Sequence, residues 1–250
     1  MNSSYVLKET VRESAFESVW ANDINDVFAD VAPYYDRANF FATLGLIDRL
    51  RVRFVSTIDV RPKQKVLDVC AGTNAIGIGL LEKQPDLEVH AADRSAPMQE
   101  VGRTRAQRLG FNNIKSHICD VHRLPFPDNH FDVVTLQWAT RHLRVIDVVS
   151  EIKRVLKPGG YFYHCDMLRP ANKLVENIYC LYLTACVSTI ARAFGSNEAA
   201  KKCRRYFVDA IRLFYSVEEL SRLLTELGYS DVYGRSVLAG TVGFHKARKP

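Results

Sequence analysis

The stretch Val66-Leu67-Asp68-Val69-Cys70-Ala71-Gly72-Thr73-Asn74 decides the fold. An apolar run from Lys65 to Val69 has strand character, a turn of small residues follows, and a helical pattern runs from Gly77 to Lys83. A strand that enters a helix through small residues lets backbone N–H groups approach a ligand closely, because little side chain stands in the way. Gly72 is the one glycine in the tight part of the turn, and Asn74 stands where a further glycine would be ordinary. Asparagine tolerates positive φ better than most residues, so the turn is expected to form with Asn74 in it. Taken alone, the stretch would also suit a plain βα turn.

Working outward, short apolar runs alternate with longer helical patterns. The runs are Leu87 to Ala92, Ile114 to Cys119, Phe131 to Leu136 and Tyr161 to Cys165. Helical patterns fill Ala96 to Leu109 and Ile146 to Leu156, the second stopped by Lys157-Pro158-Gly159-Gly160. Such alternation is the mark of βαβ units around a parallel sheet. The expected fold is therefore α/β and Rossmann-like, with a mostly parallel sheet and flanking helices. Residues 1–60 read as an N-terminal helical cap and 61–250 as the main domain. A helical insert at about 171–226 precedes a terminal strand pair between Gly228 and Lys246, and the whole forms one structural unit. Helices inserted there are placed to form a lid over the carboxyl edge of the sheet, where ligands bind in such folds.

Acidic residues recur at the strand ends. Ala91-Ala92-Asp93 closes the second run, where a carboxylate can accept from both ribose hydroxyls of a nucleoside; Ser95-Ala96-Pro97 follows, so Asp93 also suits a helix start. Cys119-Asp120-Val121 closes the third run, where a carboxylate can accept from an adenine amino group. The loop Leu124-Pro125-Phe126-Pro127-Asp128 then leads into the fourth. Three carboxylates at successive strand ends indicate a nucleoside site far more strongly than any one of them.

These elements, with Arg154-Val155-Leu156-Lys157-Pro158-Gly159-Gly160, resemble the class I S-adenosylmethionine-dependent methyltransferases. Val27-Phe28, Val31-Ala32, Tyr35-Asp36 and Asn39 look like the N-terminal signature of the ubiquinone/menaquinone biosynthesis C-methyltransferases, and Ala210-Ile211-Arg212, Leu238-Ala239-Gly240 and Phe244-His245 fit the same family. The resemblance runs from about residue 25 to 246. It implies a seven-stranded sheet, S-adenosyl-L-methionine as cofactor, and cofactor contacts from Asp68, Cys70, Ala71, Gly72, Thr73, Asp93, Arg94, Met98, Asp120, Val121 and Gln137. The acceptor it implies is a ring carbon of a lipophilic prenylated hydroquinone. Four departures stand out. The family usually has a glycine where Ala71 sits, another small residue in place of Asn74, and a glutamate in place of Asp166. Its Phe-Gly-Leu-Arg-Asn stretch is here Trp138-Ala139-Thr140-Arg141-His142.

For such a transfer the candidate catalytic residues are Arg141, to stabilise a developing phenolate, and His142, whose ordinary pKa suits a base near neutrality. Tyr35, with its neighbour Asp36, is a candidate to orient the substrate hydroxyl, and Asp166 is a further candidate. His164, among tyrosines on a strand, reads as structural. The segment Leu174 to Phe194 carries only Glu176 and Arg192 as charges, so it is either a buried core helix or a lid along a greasy tunnel.

Bulk properties fit this reading. The 250 residues suit one core, and 47% hydrophobic with 25% charged residues is ordinary for a soluble protein. The net charge of +6 lacks any run of five or six like charges, which argues for solvated side chains and against a nucleic-acid partner. The N-terminus lacks the apolar segment of a signal peptide, and no apolar run is long enough to span a bilayer. Six cysteines without a Cys-x-x-Cys pair read as reduced thiols with no metal site. A cytoplasmic setting, peripheral membrane contact and a homodimer are all compatible with this plan. Two alternatives stay open: a methyltransferase for another aromatic or polyketide-like metabolite, and a protein that keeps the fold without transferring methyl groups.

Overall fold

The computed structural model describes residues 3–193 and 204–250. Cys203 and part of the basic cluster Lys201 to Arg205 lie outside the described residues, as does Phe194 at the end of the predicted insert helix.

The seven strands are β1 Lys65–Val69, β2 Glu88–Asp93, β3 Ile114–Ile118, β4 Phe131–Gln137, β5 Leu156–Met167, β6 Ser230–Val237 and β7 Val242–Arg248. They form one sheet in the order β3-β2-β1-β4-β5-β7-β6. The strands from β3 to β5 are mutually parallel, and β7 alone is reversed, running antiparallel to both β5 and β6. The chain works outward from β1 to β3 and then crosses back to place β4 beside β1. That reversal opens a crevice at the carboxyl ends of β1 and β4.

Because side chains alternate along a strand, each central strand feeds two cores. Leu67 and Val69 of β1 face a core with α7 (Val145–Val155) and the helix Val217–Glu226, here α10. Val66 faces the opposite core with α4 (Leu46–Thr57) and α5 (Ala75–Lys83). Burial on both faces is why these runs are almost continuously apolar. In α7, Val145, Val148, Val149, Ile152 and Val155 recur at the spacing of one helix face, and all are buried. Ser216 and Glu219 close a capping box that fixes where α10 begins.

The N-terminal helices are α1 (Ser3–Ser18), α2 (Ile24–Val31) and α3 (Tyr35–Thr43), with a π-helical turn between the first two. Phe16, Ile24 and Val27 pack against Tyr206 and Ala210 of α9 (Arg204–Arg212) in a third, smaller core. The helix α8 (Lys173–Ala193) is not buried all round. Leu174, Ile178 and Leu181 face outward, more than 60% exposed, whereas Glu176 and Cys180 are buried. No helix among the described residues is long and apolar enough to cross a membrane.

Candidate active site

The β1–α5 turn forms by alternation of left-handed residues: Cys70 at φ 55°, Gly72 at 51° and Asn74 at 57°. Asn74 heads α5, as its tolerance of this conformation allowed. Its side-chain Oδ1 accepts from Gln99 Nε2 at 2.9 Å, and the same amide donates to the Gly72 carbonyl at 3.0 Å. Gln99 and Gly102 lie on α6 (Ala96–Arg108), the helix that follows Asp93. A Cβ at Gly102 would stand 2.7 Å from the Thr73 carbonyl carbon, so α6 presses directly on the turn. Both residues escaped the sequence reading. The only trace was a glycine inside a helical pattern, which often marks close packing.

Asp93 braces the turn from β2. Its Oδ2 accepts from Gly72 N and its Oδ1 from Ser95 N, each at 2.8 Å. Burial raises its pKa against the pull of those two N–H groups. Asp68 is held differently: Thr135 Oγ1 donates to Oδ1 at 2.7 Å, while Oδ2 is buried without any partner. Burial pushes this carboxyl up to about 7, and the Asp93 charge adds to the shift.

A cavity that opens to solvent, about 1000 Å³ with the open part included, sits over this turn. Every expected cofactor contact lines it: Asp68, Cys70, Ala71, Gly72, Thr73, Asp93, Arg94, Met98, Asp120, Val121 and Gln137. Six buried polar atoms of residues that line it lack a hydrogen-bond partner, namely Asn25 Oδ1, Arg51 Nε, Asp68 Oδ2, Gln137 Nε2, Trp138 Nε1 and His142 Nε2. Buried polar groups are ordinarily satisfied, so six around one cavity indicate a polar ligand. Burial drives the pKa of the Cys70 thiol up, which disfavours its thiolate.

A second cavity, about 1080 Å³, shares Phe28 and Tyr35 with the first. Its walls are mostly apolar, including Val27, Val31, Ile47, Leu183, Val187 and Ile211. Arg141 is the one ionised side chain among the described residues that line it. Nη1 of Arg141 donates to Asp166 Oδ1 at 2.6 Å and to the Trp138 carbonyl at 2.9 Å. Asp166 is fully buried, lines neither cavity, and also accepts from Thr140 N and Met167 N. It therefore aims Arg141 and is not placed to touch a substrate in either cavity.

The turn Thr140–His142 is tied down from two further directions. Arg12 of α1, fully buried, donates through Nη2 to the carbonyls of Arg141 at 3.0 Å and Leu143 at 3.1 Å. Thr140 Oγ1 bonds to His164 Nε2 at 2.8 Å, and His164 Nδ1 to His245 Nδ1 at 3.1 Å. His245 Nε2 ends the chain on the Val217 carbonyl at 3.1 Å. His164 is thus a buried brace, in line with its structural reading. His142 is buried among Phe28, Tyr206 and Phe207. Burial first, and then the Arg141 and Arg12 charges, hold its pKa well below the ordinary histidine value. That environment works against the role of base expected from its residue type. Tyr35 stands on the wall common to both cavities, where burial raises its pKa.

Comparison with known proteins shows the family and the fold. The ubiE/COQ5 methyltransferase family matches residues 16–249. The chain belongs to the ubiE/COQ5 methyltransferase family. It is 33% identical over 245 residues to the ubiquinone/menaquinone biosynthesis C-methyltransferase UbiE of Pseudomonas savastanoi pv. phaseolicola, covering 94% of this chain and 91% of the relative. The demethylmenaquinone methyltransferase of Paenarthrobacter aurescens is 32% identical over 230 residues, covering 92% and 87%. Among solved structures, phosphoethanolamine N-methyltransferase 2 of Haemonchus contortus in complex with S-adenosyl-L-methionine superposes with a TM-score of 0.61 at 16% identity, over 81% of this chain and 52% of that one. An S-adenosylmethionine-dependent methyltransferase of Thermotoga maritima gives 0.61 at 16% identity, over 90% and 99%. These two likenesses concern the fold. As a family member the chain is a methyltransferase, and the stretch from Glu9 to Arg12 that braces the turn Thr140–His142 precedes the matched residues.

Proposed function

We propose that this enzyme methylates a ring carbon of a prenylated hydroquinone, with S-adenosyl-L-methionine bound in the first cavity and the quinol in the second. The carrying observation is the pair of cavities that share Phe28 and Tyr35, one ringed by unpartnered polar atoms and the other apolar with Arg141 in its wall. Asp68 suits the cofactor's ammonium group, Asp93 its ribose, and Asp120 with Val121 its adenine. Bound there, the cofactor supplies an electrophilic methyl group.

The chain's own residues then do three things. Arg141, aimed by Asp166, lowers the energy of the phenolate that makes the neighbouring ring carbon nucleophilic. The phenolic proton is released to solvent, and the ring proton moves to the oxygen after transfer. The guanidinium charge cannot be lost at any working pH. Tyr35 orients the ring oxygen from the shared wall. The apolar lining excludes water and accepts the tail.

In this reading residues 1–60 are a helical cap, 61–250 the methyltransferase domain, and α8 with α9 a lid over the second cavity. Phe41, Leu44, Leu174, Ile178 and Leu181, all well exposed on α3, α8 and the turn after α3, suit peripheral contact with a membrane that holds such a substrate. The protein would work in the cytoplasm at that surface. The test is incubation with labelled cofactor and a panel of demethylated quinols. Label on the ring carbon of prenylated acceptors is expected. Label on a phenolic oxygen, or only on an unrelated aromatic compound, would overturn the assignment.

A further inference from the structure

The loop after β3 brings a second histidine, His122, to the first cavity beside Asp120. The backbone N–H of Arg144, the residue just ahead of α7, donates to His122 Nε2 at 3.2 Å. A backbone amide can only donate, so Nε2 bears no proton and the imidazole carries its proton on Nδ1. Nδ1–H then donates to Asp120 Oδ1 at 2.6 Å, and His122 N donates to the same oxygen at 3.0 Å. Oδ2 of Asp120 takes no hydrogen bond from a described residue, so it is the oxygen open to a ligand. Asp120 also differs from the other two strand-end carboxylates. Asp68 and Asp93 are buried, whereas the Asp120 side chain is 58% exposed. An exposed side chain gives up rotamer freedom on binding a ligand unless something has already fixed it. Burial works against the Asp120 charge, yet the two bonds from His122, with the Arg94 charge, hold its pKa below the ordinary carboxylate value.

We infer that His122 is a positioning residue for base recognition: held as its Nδ1–H tautomer by the start of α7, it occupies Oδ1 of Asp120 and turns Oδ2 to the amino group of adenine. The inference rests on the reading that the cofactor's adenine lies at Asp120. An ionised carboxylate accepts and never donates, so it attracts an amino group and repels a carbonyl oxygen in the same place. Fixing that carboxylate before the ligand arrives raises the affinity for adenine and sharpens the rejection of a base with oxygen at that position. The anchor is itself well held. Val145 N, the next amide along the chain, donates to Glu9 Oε2 at 2.6 Å, so the first turn of α7 is tied to α1 as well as to the cofactor loop.

The first arm of the test needs no ligand. Nitrogen-15 NMR of the labelled protein at pH about 8, where an ordinary imidazole is neutral, should show Nδ1 of His122 protonated and Nε2 bare. The second arm is calorimetry with S-adenosylhomocysteine and with its inosine analogue, in which oxygen replaces the amino group. The unaltered protein should prefer the adenine form by about 10-fold or more. His122→Ala should bring that preference to within about threefold. His122→Asn, whose amide can donate to Oδ1 in place of Nδ1–H, should restore most of it. Asp120→Asn tests the reading beneath, because an amide can face either group, and the preference should vanish. A preference that survives Asp120→Asn would put the base elsewhere, and the inference would fall with that reading. Loss of the preference in Asp120→Asn, with both ligands weakened alike in His122→Ala, would overturn the inference alone. A proton on Nε2 would overturn it too.

Discussion

Arg12→Met removes a charge from a fully buried place in the molecule. Arg12 is fully buried, pairs with Glu9 through Nη1, and caps the carbonyls of Arg141 and Leu143 through Nη2. Glu9 in turn accepts from Val145 N at the start of α7 and from Tyr215 Oη. Methionine nearly preserves the volume, so little of the effect is a cavity. What is lost is a buried ion pair broken from one side, which costs about 3–5 kcal/mol. The two carbonyls left unpaired are part of the same loss. For a chain of this size that corresponds to about 6–20 °C in Tm. The control is Arg103→Met, whose pair with Glu100 is more than half exposed on both sides and contributes about 0–1 kcal/mol. Denaturant unfolding of both variants, with transfer rates taken well below their midpoints, separates stability from positioning. Arg12→Met should lose rate as well, because the carbonyl it holds belongs to Arg141 itself. A loss under about 1 kcal/mol, within the range of a surface pair, would refute the claim that α1 braces the active-site turn.

Further outcomes follow from the same geometry. Asp68, with its pKa raised to about 7, should be protonated below that value, so cofactor affinity measured by calorimetry should fall as pH drops through 7 and flatten in Asp68→Asn. The folded state holds that proton above the carboxyl's ordinary 3.8, so Asp68 makes the ligand-free protein less stable as pH rises from 3.8 towards 7. Thermal melts in which Asp68→Asn leaves that slope unchanged would remove Asp68 as its source. Asp93→Ala should weaken cofactor binding by about 1.5–3 kcal/mol, and should also lower Tm because Gly72 N and Ser95 N lose their acceptor. Gly102→Ala should cost about 1–3 kcal/mol of stability by overpacking, since its Cβ would meet the Thr73–Asn74 turn. If the second cavity takes the tail, kcat/KM should climb with tail length at about 0.8 kcal/mol per buried CH₂; equal rates for tailless and prenylated acceptors would leave α8 without that role.

The sequence was most legible where one residue type can serve one local purpose. The strand β1 begins and ends where its apolar run does, from Lys65 to Val69, because a strand buried on both faces admits few polar residues. Asn74 announced a left-handed turn for the same kind of reason. The reversed strand β7 was not legible. Alternation marks a strand, but its direction depends on which neighbour it pairs with, and here it pairs with β5 and β6.

What the sequence determined by itself is the set of local preferences: the βα turn over residues 66–74, the carboxylates Asp68, Asp93 and Asp120 at strand ends, and the family resemblance they carry. Those depend on neighbours along the chain, whose spacing is visible. What only the tertiary structure decided is the chemical state of each group once it is enclosed. Arg12 carries no signal in the sequence, yet 129 residues along the chain it meets the carbonyl of Arg141. His142 read as a base by its residue type, yet burial and then the charges of Arg141 and Arg12 hold its pKa well below the ordinary histidine value. Asp166 read as a candidate for chemistry and became the anchor of Arg141. Protonation and pairing are properties of an environment, and elements far apart in the chain build that environment.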